Sequence, residues 1–235
     1  MYGLLAVGDV MLDVHVPVPD ESPLHAPVRV TPGGSAVNAA LAAAELGATA
    51  AVVGCVGADI AGHTIRDEIE ARGVDARFSV SPLHTGTTVY VGEGVVADRG
   101  ANADLEVGEL PEARVTLVSG FLAPAQLAGA LAAAHGLGAV DLQGRRHELP
   151  RVGVVLGPGI DLGAFDADVV VSTLGPDGAE ARRGDETARA RPPRVVEDPL
   201  RGGGDRFAAA FLLALAAGQP LQACLAQACT FAVDV

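Results

Sequence analysis

Lysine is absent from the 235 residues, so all sixteen basic side chains are arginine. A Walker-A lysine, a protein-kinase β3 lysine and a Schiff-base lysine are thereby excluded together. Tryptophan is absent too, aromatics make up 3% of the chain, and cysteine occurs three times, at Cys55, Cys224 and Cys229, with no C-x-x-C spacing. Neither a disulfide framework nor a zinc site is expected from that set, and a reducing cytoplasm is the expected setting. No basic run is present either. Sixteen basic residues stand against 29 acidic ones, a formal net charge of −13, and such a field repels nucleic acid and anionic membrane surfaces. The N-terminus lacks a basic region and already carries Asp9 and Asp13, which speaks against a secretory signal. The longest apolar helix-like run, Phe207 to Ala217, is too short for a bilayer, so a soluble protein is expected. The six histidines are scattered with no H-E-x-x-H, and no G-x-S-x-G occurs. Metalloprotease and serine-hydrolase readings fall away, and no metal ligands are assigned.

What is there is alanine, valine and glycine in alternating blocks. With 49% hydrophobic residues over 235 positions, one domain spanning 1–235 with a sizeable core is expected. Gly3 to Gly8 reads as a buried strand, Ser35 to Leu46 as a helix with Gly47 at its end, and Thr49 to Gly54 as a second buried strand. Ala61 to Arg72 reads as an amphipathic helix ending at Gly73. Further on, strand (Val115 to Ser119), helix (Pro124 to His135) and three strands (Ala139 to Leu142, Val152 to Leu156, Val169 to Thr173) follow in turn. A hairpin around Gly184 precedes two helices, Gly204 to Ala217 and Pro220 to Val233. The pattern predicts a mostly parallel sheet with helices on both faces, and ligands gather at the carboxyl ends of such strands. The Val/Thr-rich segments 14–31 and 85–97 are expected to pair as a small β lid over that edge.

Two constellations carry the chemistry. Gly202-Gly203-Gly204-Asp205 leads directly into an apolar helix. Consecutive glycines admit an anion close to the backbone, the helix start offers unpaired N–H groups, and a first-turn carboxylate can take a proton from an alcohol held beside that pocket. Backbone donors plus a carboxylate form a lysine-free route to phosphoryl transfer, although an Asp so placed also serves a helix dipole alone. Gly33-Gly34-Ser35 with Asn38, together with Asp9 and Asp13, offers carboxylate and amide oxygens suited to hydroxyl-rich molecules. Arg99, in R-G-A-N, is a candidate for a substrate carboxylate or phosphate, or for plain solvation, while Asn102, with Asn38 one of the two asparagines of the chain, is also open to a reading as a surface polar residue. Thr173, Gly175 and Gly178 form a turn after a buried strand.

In this order, Gly8-Asp9 with Asp13, GGSAVNAA, GCVGADIAG, T-x-G-x-x-G and GGGDRFAAAF, the motifs resemble those of the ribokinase-like (PfkB) carbohydrate and nucleoside kinases, from Gly8 to the last helix. The resemblance implies a doubly wound α/β domain with a β lid, binding ATP and Mg²⁺ and phosphorylating a hydroxymethyl group of a sugar, sugar acid or nucleoside. Asp205 then stands as catalytic base, Gly202, Gly203 and Gly204 as anion hole, and Asp13, Gly33, Gly34 and Asn38 as substrate ligands. Arg99 and Asn102 fall where relatives contact substrate or close the lid, and Thr173, Gly175 and Gly178 form part of the nucleotide wall. A homodimer through lid strands that include Tyr90 is a further expectation. The sequence departs from the pattern at three places. No N-x-x-E lies between Val155 and Asp168, Asp198-Pro199-Leu200-Arg201 lacks the threonines usual before the glycines, and the resemblance implies more chain after Val235. A catalytically degenerate sugar or nucleotide binder therefore stands as the alternative.

Overall fold

A computed structural model describes residues 1–17, 27–92, 94–194 and 202–234. Its central element is β1 (Tyr2–Val7), in which Leu4, Leu5, Ala6 and Val7 are all fully buried. A strand covered on both faces needs a continuous apolar run instead of alternation, which is why this one reads as GLLAV. Around it lie β4 (Ala50–Gly57), β5 (Val74–Ser81), β8 (Ala113–Ser119), β9 (Leu137–Asp141), β10 (Val152–Pro158), β11 (Ala167–Thr173), β12 (Ala179–Arg183) and β13 (Glu186–Ala190). The nine strands run in the order β13-β12-β11-β10-β9-β8-β1-β4-β5, parallel throughout except for the antiparallel hairpin of β12 and β13 at Gly184.

The lid is a separate sheet of four strands, β2 (Met11–Val16), β3 (Arg29–Gly33), β6 (Gly86–Val91) and β7 (Gly94–Asp98), in the order β3-β2-β6-β7. Segments far apart in sequence thus pair as expected, with β2 and β6 parallel and the outer pairs antiparallel. Residues 18–26 of the expected lid lie outside the described residues, as does the Asp198 to Arg201 stretch.

Helices are divided unevenly between the two faces. Residues of α1 (Ser35–Glu45), α2 (Ile60–Ala71), α4 (Gly203–Ala216) and α5 (Leu221–Ala232) share one apolar core with Leu4, Val52, Leu117 and Leu156. The opposite core, with Leu5, Val118, Val140 and Val155, receives α3 (Pro124–Ala132). Coverage by helices on both faces is therefore present but lopsided. Parallel neighbours are usually joined through a crossover helix, yet the links from β9 to β10 and from β10 to β11 contain none. Leu149, Ile160 and Phe165 from those links pack onto the second core instead. The strand β5 was not anticipated, because VDARFSVS mixes charge into an edge position. Among the described residues no helix is long and apolar enough to cross a membrane.

Candidate active site

At the carboxyl edge, α4 begins at Gly202, whose left-handed backbone (φ 81°) turns the chain into the helix. The first-turn N–H groups of such a helix have no intrahelical acceptor and point outward. A Cβ built on Gly204 would meet nothing within 4 Å, so the helix start opens into free space. Asp205 lies in that first turn with only 8% of its surface exposed. Its carboxylate is held from two elements. Asn38 Nδ2 on α1 donates to Oδ2 at 3.0 Å, and Gln143 Nε2 donates to Oδ1 at 3.0 Å.

Gln143 was not singled out by the sequence. It follows the end of β9 and is the one non-glycine residue with positive φ among the described residues, at 51°. In that conformation its amide reaches Asp141 Oδ2 at 2.9 Å as well as Asp205, while its backbone N–H donates to Asp141 Oδ1 at 3.1 Å. One amide thus bridges two buried carboxylates. Burial first, and then the charge of Asp205, pushes Asp141 up to about 7. Burial likewise pushes Asp205 up to about 6, against the hydrogen bonds from Asn38 and Gln143 and with the Asp13 charge adding to the rise. A carboxylate poised near neutrality, fixed in orientation by two amides, is equipped to take a proton from an alcohol.

The lid and the first strand supply the neighbouring wall. Asp13 on β2 is 8% exposed and faces Gly33, where a Cβ would fall 2.1 Å from Oδ2. Gly34 (φ 92°) sits so near Asp9 that a Cβ there would come 2.2 Å from the Asp9 carbonyl oxygen. These two glycines are sites of close backbone approach. Tyr90 Oη stands 3.4 Å from Asp13 Oδ2, and its ring stacks on His15 at 4.7 Å. Asp9 pairs with Arg99 Nη2 at 3.0 Å, and burial pushes its carboxyl up despite that guanidinium. Asn102 departs from expectation. It is fully buried, its Oδ1 accepts from Val10 N–H at 2.8 Å, and its Nδ2 donates to the carbonyls of Val10 and Arg99, both at 2.9 Å. Its hydrogen-bonding capacity is used to tie the turn after β1 to the segment after Arg99, so it positions the site and does not line it.

Thr173, Gly175 and Gly178 lie at the end of β11, two strands beyond Asp141 on the same edge. Leu174 N–H donates to the Gly178 carbonyl at 2.7 Å, closing a tight turn. Gly178 (φ 93°) must be glycine, since a Cβ would come 2.0 Å from the Ala190 carbonyl oxygen. The open glycine helix start fits a phosphate group. For Mg²⁺, among the described residues no group of three or more His, Cys, Asp or Glu converges on one point. Mg²⁺ is ordinarily held by one or two carboxylates together with substrate phosphates, so this donor set speaks only against a protein cage.

Comparison with known proteins places this geometry in a family. The model for pfkB family carbohydrate kinases matches residues 1–136 and 161–233. The interruption, 137–160, covers β9, its link to β10 and all of β10. The chain is 34% identical over 116 residues to the ribokinase of Bacillus subtilis (strain 168), across 45% of this chain and 40% of that protein. To the bifunctional protein HldE of Pseudomonas aeruginosa (strain LESB58) it is 46% identical over 85 residues, across 32% of this chain and 18% of that protein. The matches thus span less than half of these curated relatives. Among solved structures, an adenosine kinase from Sinorhizobium meliloti superposes with a TM-score of 0.80 at 22% identity, covering 98% of this chain and 92% of that one. A ribokinase from Thermotoga maritima gives a TM-score of 0.80 at 17% identity, covering 97% and 91%. At these identities the structural likeness speaks for the fold.

Proposed function

The chain belongs to the pfkB family of carbohydrate kinases, and from that premise we propose that it transfers a phosphoryl group from ATP to a hydroxymethyl group of a small sugar, sugar acid or nucleoside. The observation that carries this reading is the buried Asp205 carboxylate in the first turn of a glycine-started helix, held by Asn38 and Gln143. ATP, when bound, supplies the transferable phosphoryl group. Asp13 and Asn38 orient the sugar hydroxyls, Gly33 and Gly34 leave room for the Asp13 carboxylate and the Asp9 carbonyl beside them, and Arg99 braces Asp9. Asp205 accepts the proton of the attacking hydroxyl. The N–H groups at Gly203 and Gly204 stabilise charge that develops on the transferring group. Thr173, Gly175 and Gly178 wall the nucleotide. The four-stranded lid covers the substrate and keeps water from competing with the sugar.

Turnover of ATP to ADP against a panel of sugars, sugar acids and nucleosides with Mg²⁺ tests the proposal. A rate that depends on one member of the panel, and that collapses in Asp205→Asn, is the expected result. A second reading, a binder without chemistry, rests on the absence of N-x-x-E between Val155 and Asp168. It is adopted if no panel member raises the rate while ligands raise the melting temperature of both proteins alike. Exposed Val95 and Val96 on the outer lid strand support lid-to-lid pairing of two copies. Sedimentation giving only monomer at micromolar concentration removes that part.

A further inference from the structure

The turn that begins α4 has little of its own to hold it still. Gly202, Gly203 and Gly204 have no side chains to pack, and no side chain caps the helix at Gly202. The first bond of the helical ladder is donated by Arg206, whose N–H reaches the Gly202 carbonyl at 2.9 Å. The N–H groups of Gly203, Gly204 and Asp205 are thereby left outside the ladder. Asp205 is anchored by the amides of Asn38 and Gln143, and the other anchor of the turn is the next side chain, Arg206.

All three nitrogens of the Arg206 guanidinium are engaged, and its side chain is only 16% exposed. Nη1 donates to Glu45 Oε2 at 2.5 Å and Nη2 to Glu45 Oε1 at 2.9 Å, a forked pair with the last residue of α1. Nε donates to the Phe231 carbonyl at 3.2 Å and Nη2 also to the Asp234 carbonyl at 2.8 Å, at the end of α5, while the guanidinium lies 3.9 Å from the centre of the Phe231 ring. A cation in a first turn works against the dipole of its own helix, whereas a cation at a helix C-terminus is favoured. The charge of Arg206 thus serves α1 and α5, not α4. Consecutive residues of α4 are in this way tied to one helix, Asp205 to Asn38 and Arg206 to Glu45. Two attachments to α1 oppose both rotation of the turn and its sliding along that helix, which a single bond does not.

Resting on the kinase reading, we propose that Arg206 is a positioning residue for phosphoryl transfer: by clamping the first turn of α4 to α1 and α5, it holds the Asp205 carboxylate and the neighbouring N–H groups in the geometry that the transition state requires. Its guanidinium is engaged at the junction of three helices, so it acts through the turn and not on a ligand.

Steady-state kinetics and amide hydrogen exchange on the full chain test it, using wild type, Arg206→Gln, Arg206→Lys, Glu45→Gln and the control Arg194→Gln. Arg194 Nη2 donates to the Val233 carbonyl at 2.7 Å, so it holds the same end of α5 with no bond to α4 among the described residues. Well below the melting transition, Arg206→Gln is expected to lower kcat about thirtyfold with both KM values within about threefold, because the groups it moves act in the transition state. Arg206→Lys keeps the charge but not the fork and should stay about tenfold slow. Glu45→Gln should lower kcat about tenfold and add nothing to Arg206→Gln, since both break one bond. Arg194→Gln should lower the melting temperature and leave kcat within about twofold. The N–H at position 206 should exchange about tenfold faster in Arg206→Gln. A folded Arg206→Gln with kcat within about threefold of wild type overturns the proposal, and so does an equal loss in Arg194→Gln, which marks general loosening. If Arg206→Gln does not fold, Glu45→Gln decides alone, and kcat within about twofold of wild type overturns the proposal. If wild type phosphorylates no acceptor, the kinase reading falls and exchange still decides the clamp: faster exchange at position 206 keeps it and unchanged exchange removes it. If wild type turns over while Arg206→Gln keeps both its rate and its protection, the clamp falls and the reading stands.

Discussion

β1 and β4, β4 and β5, and β8 and β9 are joined through α1, α2 and α3, whereas β9, β10 and β11 follow one another through links that contain no helix. On the first side the backbone is closely packed. Added Cβ atoms at Gly8, Gly33 and Gly34 would come within 2.5 Å of Ser119, Asp13 and Asp9. On the second, Gly159 and Gly175 face open space and a cavity opens just past the ends of β9 and β10. Both sides keep an unbroken parallel register. Strand order therefore does not depend on crossover helices so long as a few side chains such as Phe165 keep water off the sheet. The helix-free side gains room at the ligand-binding edge, and Asp205 is held by one amide from each side, Asn38 and Gln143.

The sharpest test sits at that boundary. Asp205→Asn is expected to lower acceptor-dependent ADP formation by about a thousandfold, the usual scale of a lost general base, while a thermal melt remains cooperative. A melt that collapses instead would make Asp205 a structural residue joining the two sides. Next in size, Gly34→Ala should cost about 3 kcal/mol or more in a denaturant titration, combining left-handed strain with a clash, whereas Gly175→Ala should cost about 1 kcal/mol, from backbone strain alone. Equal losses would break the contrast between packed and open sides. Leu127→Ala in α3 should cost about 3 kcal/mol and Phe165→Ala in the helix-free link about half that, because Phe165 is only partly buried. If Phe165 costs as much as Leu127, the link is as well packed as a helix.

The smallest effect is in pH. Burial raises Asp141 to about 7 and Asp205 to about 6, above the ordinary carboxylate value, so between about pH 4 and 7 these two groups hold more protons in the folded chain than in the unfolded one. Their contribution to stability is full at the acid end and is lost as pH rises through those values. The melting temperature should therefore decline modestly from pH 5 to 8, and less steeply in Asp141→Asn. In the proposed reaction Asp205 acts as the ionised base, so the rate should rise through about pH 6, opposite in slope to stability.

Much of this was legible in the chain. GGGD before an apolar helix marked Asp205, a Gly-Gly-Ser helix start marked Asn38, and two Val/Thr-rich stretches marked the lid. The three strands after α3 were legible too, with no helical pattern between them, but the resulting imbalance between the faces was not. Periodicity reports which positions are buried and says nothing of what buries them. Gln143 escaped because no local rule places a glutamine at positive φ, and its value depends on two carboxylates brought together by the fold. The burial of Asn102 was not legible because its partner, Val10, lies 92 residues away, beyond any motif.

The strand order also orders assembly in time. β1 lies between β4 and β8, and its register with β8 pairs Leu4 with Val115 and Val7 with Val118. That pairing closes a loop of more than a hundred residues and carries the largest entropic penalty in the sheet. From β8 to β13, by contrast, each strand is the neighbour of the one before it, so these contacts are near in sequence and quick to form. Docking of β8 on β1 is thus the slow event to look for in refolding, and the strands on the open side can zip on behind it.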